Sequence, residues 1–388
     1  MTLPPHTRSN APLIALLAVL ALSNPRAAHG EGSVTYRYED YRESGGRVSV
    51  RTDGVLIEQQ IGQSMKVRAG GVIDALAGAT PTGQPAPEGS EQVPLGTMRE
   101  RRKAWFVDLS RQFPRVQVSV GAANSRESDY VSTAVSINTL TDFNQKNTTV
   151  LLGAAANFDD VRVFHQLAPE RKRTRDVILG VAQLLDPDTS LSVNLSWGRS
   201  TGYLSDPYKL VEKTVEIVPD VVLPLTFPEN RPADREKWIL RALLNRSFLD
   251  GDAALEAAYR YYADSFGTDA HSIEFAWFQR LAGTLTLRPS LRLYRQAAAD
   301  FYIYRLDDTA VVPRAGPPST TGPFYSSDYR LSEFDSATVG LKLTWNPVAW
   351  LQFDAGFDHY RMRGRDGITP QSAYVSADNL VLGVKLTW

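Results

Sequence analysis

The stretch Gly383-Val384-Lys385-Leu386-Thr387-Trp388 decides the fold. It completes a period-two pattern in which one face of an extended strand is apolar, with Leu380, Leu382, Val384, Leu386 and Trp388. The other face is mostly polar, with Asn379, Val381, Gly383, Lys385 and Thr387. A strand with an apolar row toward lipid and a polar row toward a lumen is the repeating unit of a transmembrane β-barrel. The near copy at residues 340–345 indicates that the pattern is repeated along the chain.

The same alternation recurs upstream. Leu351, Phe353 and Phe357 oppose Asp354 and Asp358, for example. Period-two patterning over nine or more residues fits a tilted spanning strand. We therefore predict an antiparallel up-and-down barrel of about 16 strands, an even number as expected for bacterial single-chain barrels. The predicted strands are 33–42, 47–61, 64–77, 99–112, 114–127, 132–143, 148–158, 173–185, 190–199, 236–249, 253–264, 271–285, 290–305, 333–345, 349–362 and 373–388.

The connections support a barrel. Tight turns are predicted where turn-forming residues cluster, at 112–114, 144–147, 186–188, 250–252, 288–289 and 346–347. Longer connections alternate with them, at 78–98, 159–172, 200–235, 306–332 and 363–372. Short periplasmic turns and long extracellular loops are the asymmetry of outer-membrane barrels. The alternative is a secreted β-sandwich or propeller, which usually lacks this asymmetry and a terminal aromatic strand.

The N-terminus predicts export. Arg8 precedes an apolar stretch from Ala11 to Leu22, and Ala28-His29-Gly30 supplies small residues for cleavage. This stretch is too short to span a membrane as a helix. We predict a cleaved secretory signal peptide at residues 1–30 and a barrel domain at 31–388, located in the outer membrane of a Gram-negative bacterium.

Composition excludes several kinds of chemistry. The 388 residues include no cysteine, which rules out disulfides, thiolate metal sites and cysteine nucleophiles within the chain. The net formal charge of −1 says little about partners, and we predict no nucleic-acid partner. His165 and His359 have no ligand partner at a recognisable spacing, so no metal site or cofactor is predicted.

Several motifs resemble a bacterial outer-membrane family catalogued as domain of unknown function family 3570. They run through nearly the whole chain after residue 30: Asp74 with Gly78-Ala79-Thr80-Pro81-Thr82-Gly83, Lys146-Asn147-Thr148-Thr149, Leu204-Ser205-Asp206-Pro207-Tyr208-Lys209, Tyr259-Arg260-Tyr261-Tyr262, Asp264-Ser265-Phe266-Gly267, His271-Ser272, Tyr294, Gln296 and Ala298-Ala299-Asp300-Phe301-Tyr302. Ala77 departs from the pattern, where a serine is expected. The resemblance implies a barrel in the outer membrane and supplies no reaction or substrate.

Strand parity predicts which side chains line the lumen. The predicted pore-lining residues are Glu256, Arg260, Tyr262, Asp264, Arg292, Tyr294, Asp300, Tyr302, Asp354 and Asp358. Inward charges set the field that a solute meets in a water-filled barrel, or they pair across strands and stiffen the wall. The inward tyrosines, with Tyr304, either form a path for sugars and flat solutes or fill space.

Two basic clusters occur where strands descend from the outer surface. They are Arg99, Arg101, Arg102 and Lys103, and Arg171, Lys172, Arg173 and Arg175. Because arginine forks suit phosphate, these residues predict contact with lipopolysaccharide or an anion-attracting vestibule. Arg295 is unexpected, because parity places it on the lipid face; a bulge or a position near the interface would explain it.

We consider three functions. The first is a passive, porin-like transport channel for a small polar or anionic solute. The second is a structural or assembly barrel that sheathes or anchors an envelope partner, which would itself supply any redox activity. The third is a surface hydrolase built from Asp264, Ser265, His271 and Ser272, although a short Asp-Ser-x-Gly stretch is also ordinary turn chemistry.

The expected partners follow from the predicted location. They are outer-membrane lipid, lipopolysaccharide and the barrel insertion machinery, which usually recognises a C-terminal aromatic strand. The connection at 200–235 is unusual, because Val221, Val222, Leu223, Leu225 and Phe227 make it apolar. Since an apolar segment should not extend into water, we expect it to narrow the mouth or to dock on a partner.

Overall fold

The computed structural model describes residues 31–163 and 168–388. The predicted signal peptide and His165 lie outside the described residues. Sixteen antiparallel strands form one closed barrel. They are β1 (Gly32–Glu43), β2 (Ser49–Ile61), β3 (Met65–Pro81), β4 (Leu95–Gln112), β5 (Val116–Arg126), β6 (Tyr130–Phe143), β7 (Thr148–Val161), β8 (Glu170–Asp186), β9 (Thr189–Gly202), β12 (Asp234–Phe248), β13 (Ala253–Asp264), β14 (Asp269–Ala282), β15 (Leu285–Gln296), β16 (Phe334–Val348), β17 (Leu351–Gly364) and β18 (Ser376–Thr387).

Helical structure in the described part of the chain is limited to single 3-10 turns, at Asn144–Lys146, Leu249–Gly251, Leu306–Asp308, Tyr329–Leu331 and Gln371–Ala373. Among the same residues, no helix has the length and apolar character needed to cross a membrane.

Pairing of the first and last strands closes the barrel. β1 and β18 pair from Ser33 opposite Thr387 to Glu43 opposite Ala377. Neighbouring wall strands follow in chain order, except that β9 pairs directly with β12. The two intervening strands, β10 (Leu210–Val218) and β11 (Val221–Pro228), form a separate hairpin that sequence analysis did not predict. Closure matters because an unpaired backbone edge is not tolerated in lipid.

The outer surface carries the predicted apolar rows. Opposite residues in an antiparallel pair point to the same face, so the row of Leu380 and Leu382 continues on β17 and β1. Both leucines are exposed on the outside of the barrel. Tryptophans lie toward both ends of this apolar surface. Trp105 and Trp238 lie toward the end that carries the long loops, and Trp345, Trp350 and Trp388 lie toward the end with the tight turns, as in interfacial aromatic girdles.

The two ends of the barrel differ as predicted. One end has only short turns, and the turn after β6 has three consecutive residues with positive φ, at Asn144, Gln145 and Lys146. The other end carries the long loops 82–94, 203–233, 297–333 and 365–375, and we call it the extracellular end.

The predicted strand 290–305 is wrong in position. The actual strand β15 begins at Leu285 and ends at Gln296, because the turn lies at Gly283-Thr284 rather than at Arg288-Pro289. Pro289 lies inside the strand, where it has no N–H to donate. The pairing with β14 is accordingly interrupted between the Ala276–Ser290 and Gln279–Leu287 pairs.

Arg295 is explained by its height in the wall. It lies one residue before the extracellular end of β15, on the outer face. Its Nε donates a 2.8 Å hydrogen bond to Oδ1 of Asp335 on β16. The position near the interface, rather than a bulge, therefore accommodates this charge.

Candidate functional site

The lumen wall is dominated by cross-strand ion pairs. Inward carboxylates and cations lie within 4.0 Å of each other at most heights of the wall. These pairs are Lys66–Glu58, Arg68–Glu58, Arg102–Asp74, Lys237–Asp176, Arg235–Asp264, Arg288–Glu256, Arg292–Glu274 and Lys342–Asp354. Much of the inward charge therefore stiffens the wall.

Arg241 and Arg260 depart from this pattern. They lie directly opposite each other on β12 and β13, both facing inward. Within the described residues, no carboxylate oxygen comes within 4.0 Å of either guanidinium. Across the next strand pair, Arg241 faces Asn194. Because neither guanidinium has a nearby carboxylate, the pair forms a positive patch whose charge the wall does not balance. Like charges directly opposite each other also destabilise a sheet, so an anion bound between them would be favourable.

A buried hydroxyl lies beside the same patch. Ser272 is directly opposite Arg260 on β14, and only 3% of its surface is exposed. Its Oγ has no hydrogen-bond partner in the described structure. Tyr294 flanks it on β15, while the ring of Tyr262 lies 5.7 Å from the Arg260 guanidinium. A buried hydroxyl without a partner is costly, so this position favours an added hydrogen-bonding group.

The structure places eight of the ten predicted pore-lining residues on inward faces of wall strands. They are Glu256, Arg260, Tyr262, Asp264, Arg292, Tyr294, Asp354 and Asp358. The prediction is wrong for Asp300 and Tyr302, which belong to the loop after β15. The Asp300 N–H donates to the Phe266 carbonyl, and the Tyr302 hydroxyl hydrogen bonds to Thr369, so both help to hold loops together.

Asp264 has a structural role that its inward parity did not indicate. Its side chain is fully buried. It accepts hydrogen bonds from Arg235 Nε at 2.8 Å, from the Tyr262 hydroxyl at 2.5 Å and from the backbone N–H groups of Phe266 and Thr268. Asp264 therefore fixes the β13–β14 turn and is not accessible to a solute.

The extracellular loops meet over the mouth of the barrel. The Leu210 N–H donates a 2.7 Å hydrogen bond to the carbonyl of Thr82. Leu210 belongs to the connection between β9 and β12, whereas Thr82 follows β3, which lies six and seven strands away from them around the wall. The Tyr304 hydroxyl accepts a bond from the Ala86 N–H, which joins a third loop to the same assembly. We call loops 82–94, 203–233, 297–333 and 365–375 together the cap.

A buried charge cluster lies within the cap. Arg231 Nη2 donates to Glu229 at 3.0 Å and to Asp328 at 2.8 Å. Arg330 bridges Asp328 and Asp206, which connects loop 297–333 to loop 203–233. Glu229 also accepts from the Ser326 hydroxyl at 2.5 Å. This cluster gives the two longest loops one defined arrangement.

Burial and neighbouring charge shift the titration of this cluster. Burial raises the pKa of Glu229 to about 7, although Arg231 opposes the shift. Burial alone would also raise the pKa of Asp328, but Arg330 and Arg231 outweigh it and hold that pKa below its ordinary value. Burial lowers the pKa of Lys209, which contacts the Pro81 carbonyl and so ties the cap to the end of β3.

The apolar part of the connection at 200–235 divides into two. The base of the β10–β11 hairpin is buried, because Val211 packs with Leu306 and Tyr325. The tip projects from the cap and leaves apolar side chains exposed, including Ile217, Val218, Val221, Val222, Leu223 and Leu225. The base therefore packs within the cap, and the tip has no cover within the described chain.

The two basic clusters split between the faces of the wall. Arg99, Arg101 and Lys103 on β4, and Arg171, Arg173 and Arg175 on β8, point outward. The prediction of lipid contact is wrong for Arg102 and Lys172. Because alternate residues face opposite sides, Arg102 points inward to Asp74 and Lys172 points inward to Asp159.

The residues of the predicted hydrolase do not form a triad. His271 points outward and hydrogen bonds to the Tyr259 hydroxyl at 2.8 Å, whereas Ser272 points inward. A pair of Ser272 with His271 is therefore wrong, since the wall separates the two side chains. The Ser265 hydroxyl accepts from the Glu236 N–H, and Asp264 is used by the turn. In the part of the chain that the structure describes, no cluster of three histidine or acidic side chains could hold a metal ion.

Comparison with protein families gives one match. A model described as "Protein of unknown function (DUF3570)" matches residues 10–373. The chain belongs to this family. No curated protein matches the chain.

Solved structures of outer-membrane proteins match this DUF3570 chain at low identity. The siderophore receptor PirA from Pseudomonas aeruginosa is 14% identical, with 92% of this chain and 61% of that chain covered and a TM-score of 0.43. OmpT of Vibrio cholerae, as a loop L8 deletion mutant, is 10% identical, with 92% and 98% covered and a TM-score of 0.45. OccK5 (OpdH) from Pseudomonas aeruginosa is 11% identical, with 92% and 98% covered and a TM-score of 0.43. The chain thus spans less than two thirds of the length of PirA.

Arg241 is the main residue that sequence reasoning missed in this DUF3570 chain. Its strand, β12, carries Ile239 and Leu243 on the inward face, so alternation between apolar and polar residues is weak there. The parity of Lys237 and Asn245 would have placed Arg241 inward.

Proposed function

We propose that this protein is an outer-membrane channel for small anionic solutes, with the cap controlling access from outside. The observation that carries the proposal is the inward pair Arg241–Arg260, which has no carboxylate within 4.0 Å in the described structure. Guanidinium groups form strong, directional hydrogen bonds with oxyanions, and rings of inward charge set ion preference in pores. A passing anion supplies the negative charge that the wall does not.

The surroundings of the pair support an anion rather than a neutral solute. Glu256, four residues from Arg260, is 3.7 Å from Arg288, and Glu274 on the next strand is 3.2 Å from Arg292. The carboxylates nearest to the Arg241–Arg260 pair thus already have other arginines as ion-pair partners. Inward carboxylates without a close cation, such as Glu39 and Asp358, lie several strands away, on β1 and β17.

The test is the zero-current potential of the purified full chain in a planar bilayer under a KCl gradient. We expect a preference for chloride over potassium, and we expect Arg241→Gln/Arg260→Gln to reduce it several-fold. The matched control is Arg241→Lys/Arg260→Lys, which keeps both charges and should keep the preference. A variant in which a short linker replaces residues 203–233 opens the cap. No conductance from this variant or from the natural chain, or an unchanged preference in the glutamine variant, would contradict the proposal.

A second candidate function is the anchoring of an envelope partner, and the exposed hairpin tip favours it. Val222 and Leu223 are 59% and 49% exposed, at the far end of a hairpin whose base is fixed to the cap. Contiguous exposed apolar surface marks interaction sites. The test is co-purification in mild detergent with and without Val222→Ser/Leu223→Ser. Repeated recovery of the barrel alone from cells would count against this function.

A further inference from the structure

We infer that one outer face of the barrel, formed by β4 to β8, binds the phosphates of lipopolysaccharide. The face is defined by the outward residues Arg99, Arg101 and Lys103 of β4 and Arg171, Arg173 and Arg175 of β8. These two triplets are separated by 67 positions in sequence between Lys103 and Arg171 but lie on one side of the wall, because β4, β5, β6, β7 and β8 are consecutive neighbours. With about 4.8 Å between strands, the triplets lie roughly 20 Å apart along the circumference.

Both triplets begin at the height where the apolar outer surface ends. On β4 the outward row runs from Leu109 through Val107 and Trp105, all exposed, and then reaches Lys103. On β8 it runs through Leu179 and Val177 and then reaches Arg175. On β4 and β8 the charges thus begin one outward position beyond the apolar row and continue toward the extracellular end, while on β7 the exposed Phe158 lies opposite Arg173. Lipopolysaccharide phosphates lie at that level of the outer leaflet, so height and charge both match this lipid.

The six cations have no internal partner. Within the described residues, no carboxylate oxygen lies within 4.0 Å of any of them. Asp160 is an outward carboxylate on this face, directly opposite Arg171, yet it lies beyond that distance. Two outward arginines elsewhere differ, since Arg42 is held by Asp40 and Arg295 by Asp335. Arg361 and Arg363 of β17 also point outward without a carboxylate within 4.0 Å in the described structure, but they are not accompanied by a second basic triplet on a nearby strand.

The distribution of the basic residues between the two faces argues against non-specific anion binding by the whole of each cluster. Arg102 and Lys172 belong to the same sequence clusters but point inward, each to a carboxylate of the wall. Within these two clusters, the members without a carboxylate partner in the described structure are the ones that point to the lipid side. On the neighbouring strand β5, Arg126 lies directly opposite Lys103, which extends the positive face in the direction of β8. Guanidinium forks bind phosphate bidentately, so a phosphorylated lipid headgroup is the occupant with complementary charge and geometry.

The test uses the purified full chain in detergent and lipid A bisphosphate as the probe, with binding followed by titration. Two triple variants are compared with the natural protein: Arg99→Gln/Arg101→Gln/Lys103→Gln and Arg171→Gln/Arg173→Gln/Arg175→Gln. The matched control is Arg42→Gln/Arg295→Gln, which removes two outward cations that already have partners. Heat-modifiable gel mobility verifies that each variant is folded.

We expect each triple variant to bind roughly tenfold more weakly or worse, which corresponds to the loss of about one charge-assisted hydrogen bond. The control variant should bind lipid A bisphosphate as tightly as the natural protein does. Dephosphorylated lipid A should bind poorly to the natural protein. Inorganic phosphate should not compete at equal concentration, since it lacks the acyl chains that hold the headgroup at this height. Equal binding by the triple variants, or equal binding of dephosphorylated lipid A or phosphatidylglycerol, would overturn the inference.

Discussion

Leu210 and Thr82 are joined by a backbone hydrogen bond that crosses the extracellular mouth of the barrel, with 2.7 Å between the Leu210 nitrogen and the Thr82 oxygen. Thr82 follows the wall strand β3, and Leu210 begins β10 in the connection between β9 and β12, six and seven strands away from β3 around the wall. Lys209 strengthens the same junction by contacting the Pro81 carbonyl. A contact of this kind fixes a loop over the lumen, so the proposed channel function requires the cap to open before a solute reaches Arg241 and Arg260 from outside.

A disulfide at this junction should lock the mouth. The natural chain has no cysteine, so Thr82→Cys/Leu210→Cys introduces one defined pair. Residues joined by such a bond have Cα atoms on the order of 5–6 Å apart, within the range that a disulfide spans. We expect the oxidised variant to conduct less than the natural protein in a planar bilayer, and dithiothreitol to restore conduction. Each single-cysteine variant is the control, and equal conductance before and after reduction would contradict a cap that controls access.

Asp264 should matter far more to stability than Asp335, although both are aspartates paired with an arginine at the extracellular end of the wall. Asp264 is fully buried and accepts five hydrogen bonds, so Asp264→Ala leaves Arg235, the Tyr262 hydroxyl and two backbone N–H groups without this acceptor. We expect a loss of roughly 3–5 kcal/mol in the free energy of unfolding.

The matched comparison is Asp335→Ala. Asp335 pairs with the exposed Arg295 on the outer face, and pairs of that kind contribute at most about 1 kcal/mol. Urea unfolding in lipid bilayers, followed by tryptophan fluorescence, measures both losses. Similar losses in the two variants would mean that the β13–β14 turn does not depend on Asp264.

The wall was predictable from the sequence because each spanning strand must satisfy the same local rule. Alternation of apolar and polar residues placed Leu380 and Leu382 outside and Asp354 inside without any knowledge of neighbouring strands. The prediction failed where one residue type is compatible with two kinds of local structure. Pro289 indicated a turn, yet it lies in a strand whose pairing is interrupted beside it.

The cap was not predictable in the same way, because its order comes from contacts between distant loops. The hydroxyl of the buried Tyr304 accepts a hydrogen bond from Ala86, 218 residues away. The negative charge of Asp328 is balanced by Arg231, which comes from another loop. No periodicity marks such pairs in advance. The clusters around Arg102 and Lys172 are a different case, because they lie on wall strands and strand parity alone would have assigned these two residues to the inward face.

The hairpin tip should be dispensable for folding. Val222 and Leu223 are exposed and make no part of the buried clusters of the cap, so Val222→Ser/Leu223→Ser should change the free energy of unfolding by no more than about 0.5 kcal/mol. The same change should reduce self-association of the purified barrel in mild detergent, measured by light scattering. Val211→Ser is the contrasting variant, since Val211 is fully buried at the hairpin base. An equal loss of stability in both variants would show that the tip also packs on the barrel.

Glu229 should make the cap sensitive to pH near neutrality. Burial raises its pKa from 4.5 to about 7, so the folded cap binds a proton more tightly than the open loops do. The stabilisation that this proton provides is complete below pH 4.5 and is lost as the pH rises through about 7. Asp328 acts in the opposite sense, because its pKa is lowered and its contribution is lost only in acid. Between pH 5.5 and 8 the Glu229 effect therefore dominates.

The measurement is hydrogen exchange of residues 203–233 and 297–333 at pH 5.5 and pH 8, corrected for the intrinsic rate at each pH. We expect more opening at pH 8 in the natural protein, by a few kcal/mol at most. Glu229→Gln keeps the size of the side chain and removes the titrating group, so its cap should open equally at both values. Wall strands such as β17 are the internal control, since they do not contact Glu229. Equal opening of the natural cap at both pH values, or the same pH dependence in Glu229→Gln, would assign any gating to another group.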